Sequence, residues 1–169
     1  VLDGGAEIYH GADGNRLGAP DPVAVDFFAA DPGAGDVTRI CVGGEDPSGG
    51  WTIGNIQMDP NNGRRTGSEC ATLPPTGIFP RELLWFASQP AFQSAFDALR
   101  PETGGVPVGD LNLDLVVLSP RFDPATATPA AAARHALVRN AIDTFASALG
   151  TVLGHEIGHA LGLVPGGPP

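Results

Sequence analysis

Residues 128–162 read TPAAAARHALVRNAIDTFASALGTVLGHEIGHALG, and they carry the strongest structural signal in the chain. Thr128-Pro129 is a helix start, with Thr as N-cap and Pro at the first helical position. Leu137, Val138, Ile142, Phe145 and Leu149 then recur at helical steps on one apolar side. Two readings stand for its end: Gly150 stops the helix, or one long helix runs on to Leu161. Gly150, Gly154, Gly158 and Gly162 lie four residues apart, so on a helix they form one nearly bare stripe. Each interior Gly costs roughly 1 kcal/mol against Ala, and four in register predict close backbone approach by a neighbouring element.

Upstream, the pattern is short strands and loops, then helix. Residues 1–22 read as turns around the apolar segment Ala6 to Tyr9. Val23 to Ala30, with Val23, Val25 and Phe27 alternating, and Val37 to Val42 are strand signals. Trp51 to Met58 reads as an edge strand, and residues 59–77 as a long polar loop ending in Pro74-Pro75. Pro80 opens a helical stretch that Pro90 splits or kinks and that Pro101 and Gly104-Gly105 close. Leu111 to Leu118 reads as the strongest strand, with Leu111, Leu113, Leu115 and Val117 on one face. The 169 residues fit a single domain. Gly and Pro together make 41 residues (24 + 17) without a repeat period, which predicts a loop-rich globular α+β chain.

The net charge is −10, and all nine basic residues are Arg. An acidic chain without a basic stripe is a poor partner for nucleic acid. The longest nearly apolar run, Leu111 to Leu118, is too short to span a bilayer. With no leader at Val1, the chain reads as a processed protein or an excised domain, soluble and by inference exported; its Ala, Gly, Pro and Arg richness without Lys suggests a GC-rich genome. Cys41 and Cys70 are either a disulfide, which suits an exported domain, or two buried thiols. If paired, they contribute roughly 3–4 kcal/mol in the chain-entropy picture.

The chemistry concentrates in His155-Glu156-Ile157-Gly158-His159. Histidines four apart lie one turn apart on the same helix face, so both imidazoles can reach one ion. Zinc takes neutral imidazole nitrogen and acidifies a coordinated water to a pKa of roughly 7. Glu156, next along the helix, is placed to take that water's proton and pass it to a leaving amine. Such short matches also arise by chance on ordinary surface helices. Against that, Leu153, Ile157 and Leu161 supply a burying face that Val152 and Leu163 extend, and Gly162 permits a sharp turn.

His155 to Gly162, His-Glu-x-x-His-x-x-Gly, resembles the metzincin clan of zinc peptidases, particularly its matrixin-like bacterial members. Residues 105–110, the expected strand after them and the helix before the motif add a broader, less specific similarity over residues 80–163. The resemblance implies a zincin-like fold, with a twisted, mostly parallel sheet and two long helices, the second carrying the motif. It implies a secreted endopeptidase with one catalytic Zn2+ on His155 and His159, Glu156 as general base, and a protein or peptide substrate. The family pattern puts a third histidine ligand three residues after Gly162, where this chain has Pro165. It also expects a Met-containing turn, yet the only Met, Met58, lies far upstream. Three explanations stay open: a ligand on a longer C-terminal segment, an upstream substitute, or a degenerate site. The first is favoured, which makes the chain a catalytic domain lacking its C-terminal subdomain.

Other residues have plainer readings. His135 and His10 read as a solvated helical histidine and loop decoration, with His135 weighed as a substitute ligand. Asp143 is weighed as a residue that orients a ligand histidine, or as an exposed helix acid. Asp13-Gly14-Asn15, Glu45-Asp46 and Asp59 with Asn61-Asn62 are oxygen-rich turns that could hold Ca2+, though none has the spacing of a dedicated loop. The rival to the enzyme is a secreted, non-catalytic binding or structural domain that keeps the helix as scaffold. Oligomeric state leaves no trace in the sequence.

Overall fold

The computed structural model describes residues 37–59, 67–72 and 74–162. The strand expected over Val23 to Ala30 and the turns around Ala6 to Tyr9 lie outside them. The chain forms two compact units, one of Val1–Trp85 with Ala146–Pro169, the other of Phe86–Phe145.

In the first unit, β1 (Thr38–Ile40) falls within the Val37 to Val42 signal, and β2 (Gly54–Asn55) within Trp51 to Met58. β1 pairs in parallel with β3 (Gly67–Glu69), matching Thr38 to Gly67 and Ile40 to Glu69. β2 pairs antiparallel with β4 (Gly77–Ile78), matching Gly54 to Ile78. One of the two sheets is therefore parallel and the other antiparallel. Residues 59–77 are not simply a polar loop, because β3 and the start of β4 fall inside them. Gly67-Ser68-Glu69 has no apolar alternation to announce a strand; a distant partner makes it one. Cys41 and Cys70, each one residue past its strand, are joined by a disulfide with Cα atoms 5.0 Å apart. The Cys41 amide donates to the Glu69 carbonyl at 3.1 Å, and the Ile78 amide to the Cys41 carbonyl at 2.8 Å. Gly77, at φ 134°, brings its backbone so close that a Cβ there would lie 2.9 Å from the Cys41 carbonyl oxygen. Ile78, fully buried, sits in this knot, and Ile56, Phe79, Leu83, Leu149, Leu153 and Ile157 are buried with it in the apolar interior.

Pro80–Ser88 folds as a 3-10 helix. Gln89 is extended at φ −75° and ψ 143°, and Pro90 begins α1 (Pro90–Phe96) at its first position. Pro90 thus splits the segment, as a residue without an amide proton does. Two short 3-10 turns, Asp97–Leu99 and Pro101–Thr103, end at the left-handed Gly104.

The second unit corrects the strand expected over Leu111 to Leu118. Asp114–Val117 is a single helical turn, α2, with Asp114 and Val117 buried. Leu115, Val116 and Leu118 are exposed. The Asp114 carboxylate accepts the Gly109 amide at 2.8 Å and the Leu111 amide at 3.4 Å, which curls the chain over it. It also meets Arg134 through two bonds, Nε to Oδ1 at 2.7 Å and Nη2 to Oδ2 at 3.0 Å. Arg134 spends further donors on the carbonyls of Val106 (3.0 Å) and Pro107 (2.9 Å). A buried charge pair with its hydrogen bonds filled outweighs a local alternation that has no second strand to pair with among the described residues of this unit.

α3 (Pro129–Ala160) is one helix of 32 residues that continues through Gly150, which decides between the two readings of its end. Thr128 caps it: its hydroxyl accepts the Ala131 amide at 3.3 Å. Among the described residues it is the one long α-helix. Gly150, Gly154 and Gly158 are all buried. Gly162 lies past the helix end at φ 69°, its amide donating to the His159 carbonyl at 3.1 Å. The Asp59 amide donates to the same carbonyl at 3.0 Å, filling an acceptor that a helix end otherwise leaves open.

Candidate metal centre

Four residues of helical rise put His155 and His159 side by side near the end of α3. Their Nε2 atoms are 3.0 Å apart. The rings stand nearly perpendicular, at 85°, with centroids 4.6 Å apart. Glu156 completes a cluster whose ligand-type atoms all lie within 4.8 Å of one another. His155 is exposed, His159 half-buried and Glu156 buried, so the cluster opens to solvent on the imidazole side.

The donor set suits a divalent cation. Two imidazole nitrogens 3.0 Å apart would both be able to reach a single zinc-like ion. Among the described residues no further His, Cys, Asp or Glu joins this cluster. Pro165 lies outside the described residues.

Glu156 differs from its neighbours in having little access to water. Burial pushes its carboxyl above the usual carboxylate range, countered in part by His159, then His155, then a hydrogen bond from the Ile56 amide. Strand β2 lies directly against it: a Cβ on Gly54 would be 2.8 Å from both Cγ and Oε1 of Glu156. Sequence reading missed this contact. The one signal for it was a glycine inside a strand pattern, which marks close approach by something else.

The other candidates separate from the cluster. His135 packs its ring on Phe122, with centroids 4.9 Å apart, in the second unit. Asp143 pairs with Arg139 four residues earlier, at 3.1 Å on an exposed surface, and orients no histidine. Of the oxygen-rich turns, the Asp46 carboxylate accepts the Ser48 amide (2.8 Å), the Ser48 hydroxyl (2.7 Å) and the Thr52 amide (3.3 Å). These bonds hold its pKa below the usual value, as in an Asx-turn. Glu45 pairs with Arg81 at 2.6 Å. Met58 is 39% exposed and outside the cluster. His10, Asp13 to Asn15 and Asn61-Asn62 lie outside the described residues. An open hollow of about 570 Å³ in the second unit is lined by Val106, Leu111, Leu113, Leu137 and the Arg134 side chain among others, and holds no metal-ligating cluster. No helix among the described residues is long and apolar enough to cross a membrane.

Compared with protein-family models, curated proteins and solved structures, the chain matches none.

Proposed function

We propose that this chain carries the active-site helix of an exported, zinc-dependent endopeptidase with a zincin-like architecture. The observation that carries the reading is the cluster on α3: two imidazole nitrogens 3.0 Å apart beside one buried carboxylate. The eight residues His155 to Gly162 and their resemblance to metzincin peptidases support it, and the Cys41–Cys70 disulfide supports an oxidising compartment.

His155 and His159 would hold the ion. When bound, zinc supplies Lewis acidity, lowering a water's pKa toward about 7 and polarising a carbonyl. Glu156 accepts the proton of the attacking water and returns it to the leaving amine. Its partial desolvation suits that shuttle, because a carboxylate with a raised pKa keeps the proton long enough to deliver it. The substrate is a peptide or protein chain.

A second reading, a secreted binding domain on the same scaffold, draws on one observation. Only two histidines and the glutamate come together among the described residues, and a catalytic zinc site normally has three protein ligands. Metal content separates the two. A zinc-loaded sample dialysed against a weak chelator is expected to hold one zinc per chain, lost in His155→Ala. Failure of the wild-type chain to retain zinc rejects the enzyme as this chain presents it.

A further inference from the structure

Most glycines whose surroundings are open in this chain answer to backbone conformation. Gly44, Gly49, Gly104 and Gly109 all have positive φ, and a Cβ on any of them would meet nothing within 4 Å. Gly54 is the opposite case. Its φ lies outside the left-handed region, so an alanine suits the backbone, yet the space for its Cβ is filled by Glu156 at 2.8 Å. The missing side chain is required by the neighbour alone.

Strand β2 is held firmly where it makes this contact. It pairs with β4 through Gly54 to Ile78 and Asn55 to Gly77. The Phe79 amide donates to the Ile53 carbonyl at 2.7 Å, and the Asn55 side-chain amide donates to the Pro75 carbonyl at 2.6 Å. The Gln57 amide donates to the Glu69 carboxylate at 3.2 Å, tying the far end to β3. A glutamate has three side-chain torsions to lose. Here one strand lies directly against its Cγ, Cδ and Oε1.

We propose that Gly54 positions Glu156, with β2 as a fixed rail that sets the carboxylate's rotamer beside the His155–His159 pair. The proposal rests on the peptidase reading and adds to it a residue from a different element, a hundred positions upstream. Gly54 is a positioning residue: it touches no reacting atom, and its contribution is to leave room. Because the atoms in the way belong to a flexible side chain, alanine at 54 is accommodated by swinging Glu156 aside, without unfolding the sheet. Stability and catalysis then part company.

The experiment compares zinc-loaded wild type, Gly54→Ala and Gly43→Ala on a fluorogenic peptide, with zinc content and Tm read alongside. Gly43 belongs to the same unit, and a Cβ there would meet nothing within 4 Å. Gly54→Ala is expected to lose about a hundredfold in kcat, as an ångström-scale misplacement does. KM should stay within about twofold, zinc should be retained, and Tm should move by no more than Gly43→Ala moves it. Gly43→Ala should cleave like wild type. In a Glu156→Asp background, which shortens the side chain, Gly54→Ala should cost far less in kcat. Full kcat in Gly54→Ala overturns the positioning role and leaves the peptidase reading standing; so does a loss shared equally by the Glu156→Asp background. A wild-type chain that binds zinc but cleaves nothing overturns the peptidase reading and the role of Gly54 with it.

Discussion

Two buried carboxylates, Asp114 in the second unit and Glu156 in the first, are treated in opposite ways. In the second unit Asp114 is 1% exposed, yet its carboxyl is pulled down to about 2 from 3.8. The hydrogen bonds from Arg134 do most of this, against the cost of burial, with the Gly109 and Leu111 amides adding to it. In the first unit Glu156 is 7% exposed and its carboxyl is pushed up, burial being the largest cause. The two shifts differ in their first cause: the hydrogen bonds from Arg134 at Asp114, and burial at Glu156. Asp114 has a guanidinium in two-bond contact, whereas Glu156 has two imidazoles beside it. A carboxylate locked to a guanidinium holds structure together, whereas one beside a pair of imidazoles is available for proton transfer or for a cation.

The carboxylate beside the imidazoles offers the steepest change. Glu156→Gln in the zinc-loaded chain should lower peptide cleavage by about a thousandfold, the scale of general-base removal, with zinc still bound. An active variant would place Glu156 beside Asp114 as a structural group. Next comes the one locked to Arg134. Arg134→Met strands Asp114 as a buried charge, and Tm should fall by roughly 10 °C, checked by calorimetry. A Tm held within a degree or two would show that the pair stabilises nothing.

Acid separates the two with a definite sign. Asp114 has a folded pKa of about 2, below the usual 3.8, so its stabilisation is complete above the unfolded value and lost as pH falls toward 2. Urea midpoints measured from pH 5 downward should show wild type losing its advantage over Asp114→Asn through that window. An advantage that persists to pH 2 would contradict the bonding described. Glu156 runs the other way. Its raised folded pKa makes the protonated form the stabilising one, so that contribution is present below the unfolded value near 4.5 and is lost as pH rises. In metal-free protein at pH 7, Glu156→Gln should therefore raise Tm, by about 2 °C on the scale of small burial costs. A lower Tm would mean that the carboxylate is satisfied after all. An ion pair that buries nothing serves as the control: removing the exposed Arg139–Asp143 pair by Arg139→Ala should shift Tm by less than about 1 °C.

Legibility varied along the chain for physical reasons. Thr128-Pro129, the apolar steps after them and the four-residue histidine spacing are local. A helix start, a helix face and a two-imidazole chelate come from neighbours within a turn or two. Pro90 acted locally too, splitting the helical stretch through its own missing amide proton. Leu111 to Leu118 misled because alternation signals a strand only where a second strand is present to pair with it. Asp114 found Arg134, twenty residues on, and the segment curled instead. β3 misled in the reverse sense, since Gly67-Ser68-Glu69 became a strand through pairing with β1.

The long helix, the place where His155, Glu156 and His159 share it, and two cysteines able to pair were all written in the order of residues. Packing alone selected which strands exist, bonded the sulfurs of Cys41 and Cys70, and answered Asp114 with Arg134. It also set the bare Cα of Gly54 against Glu156. The division follows the range of the forces: periodicity and capping act within a few residues. Which buried groups become partners depends instead on a packing that brings distant residues to within about 3 Å of one another, and no local pattern encodes it.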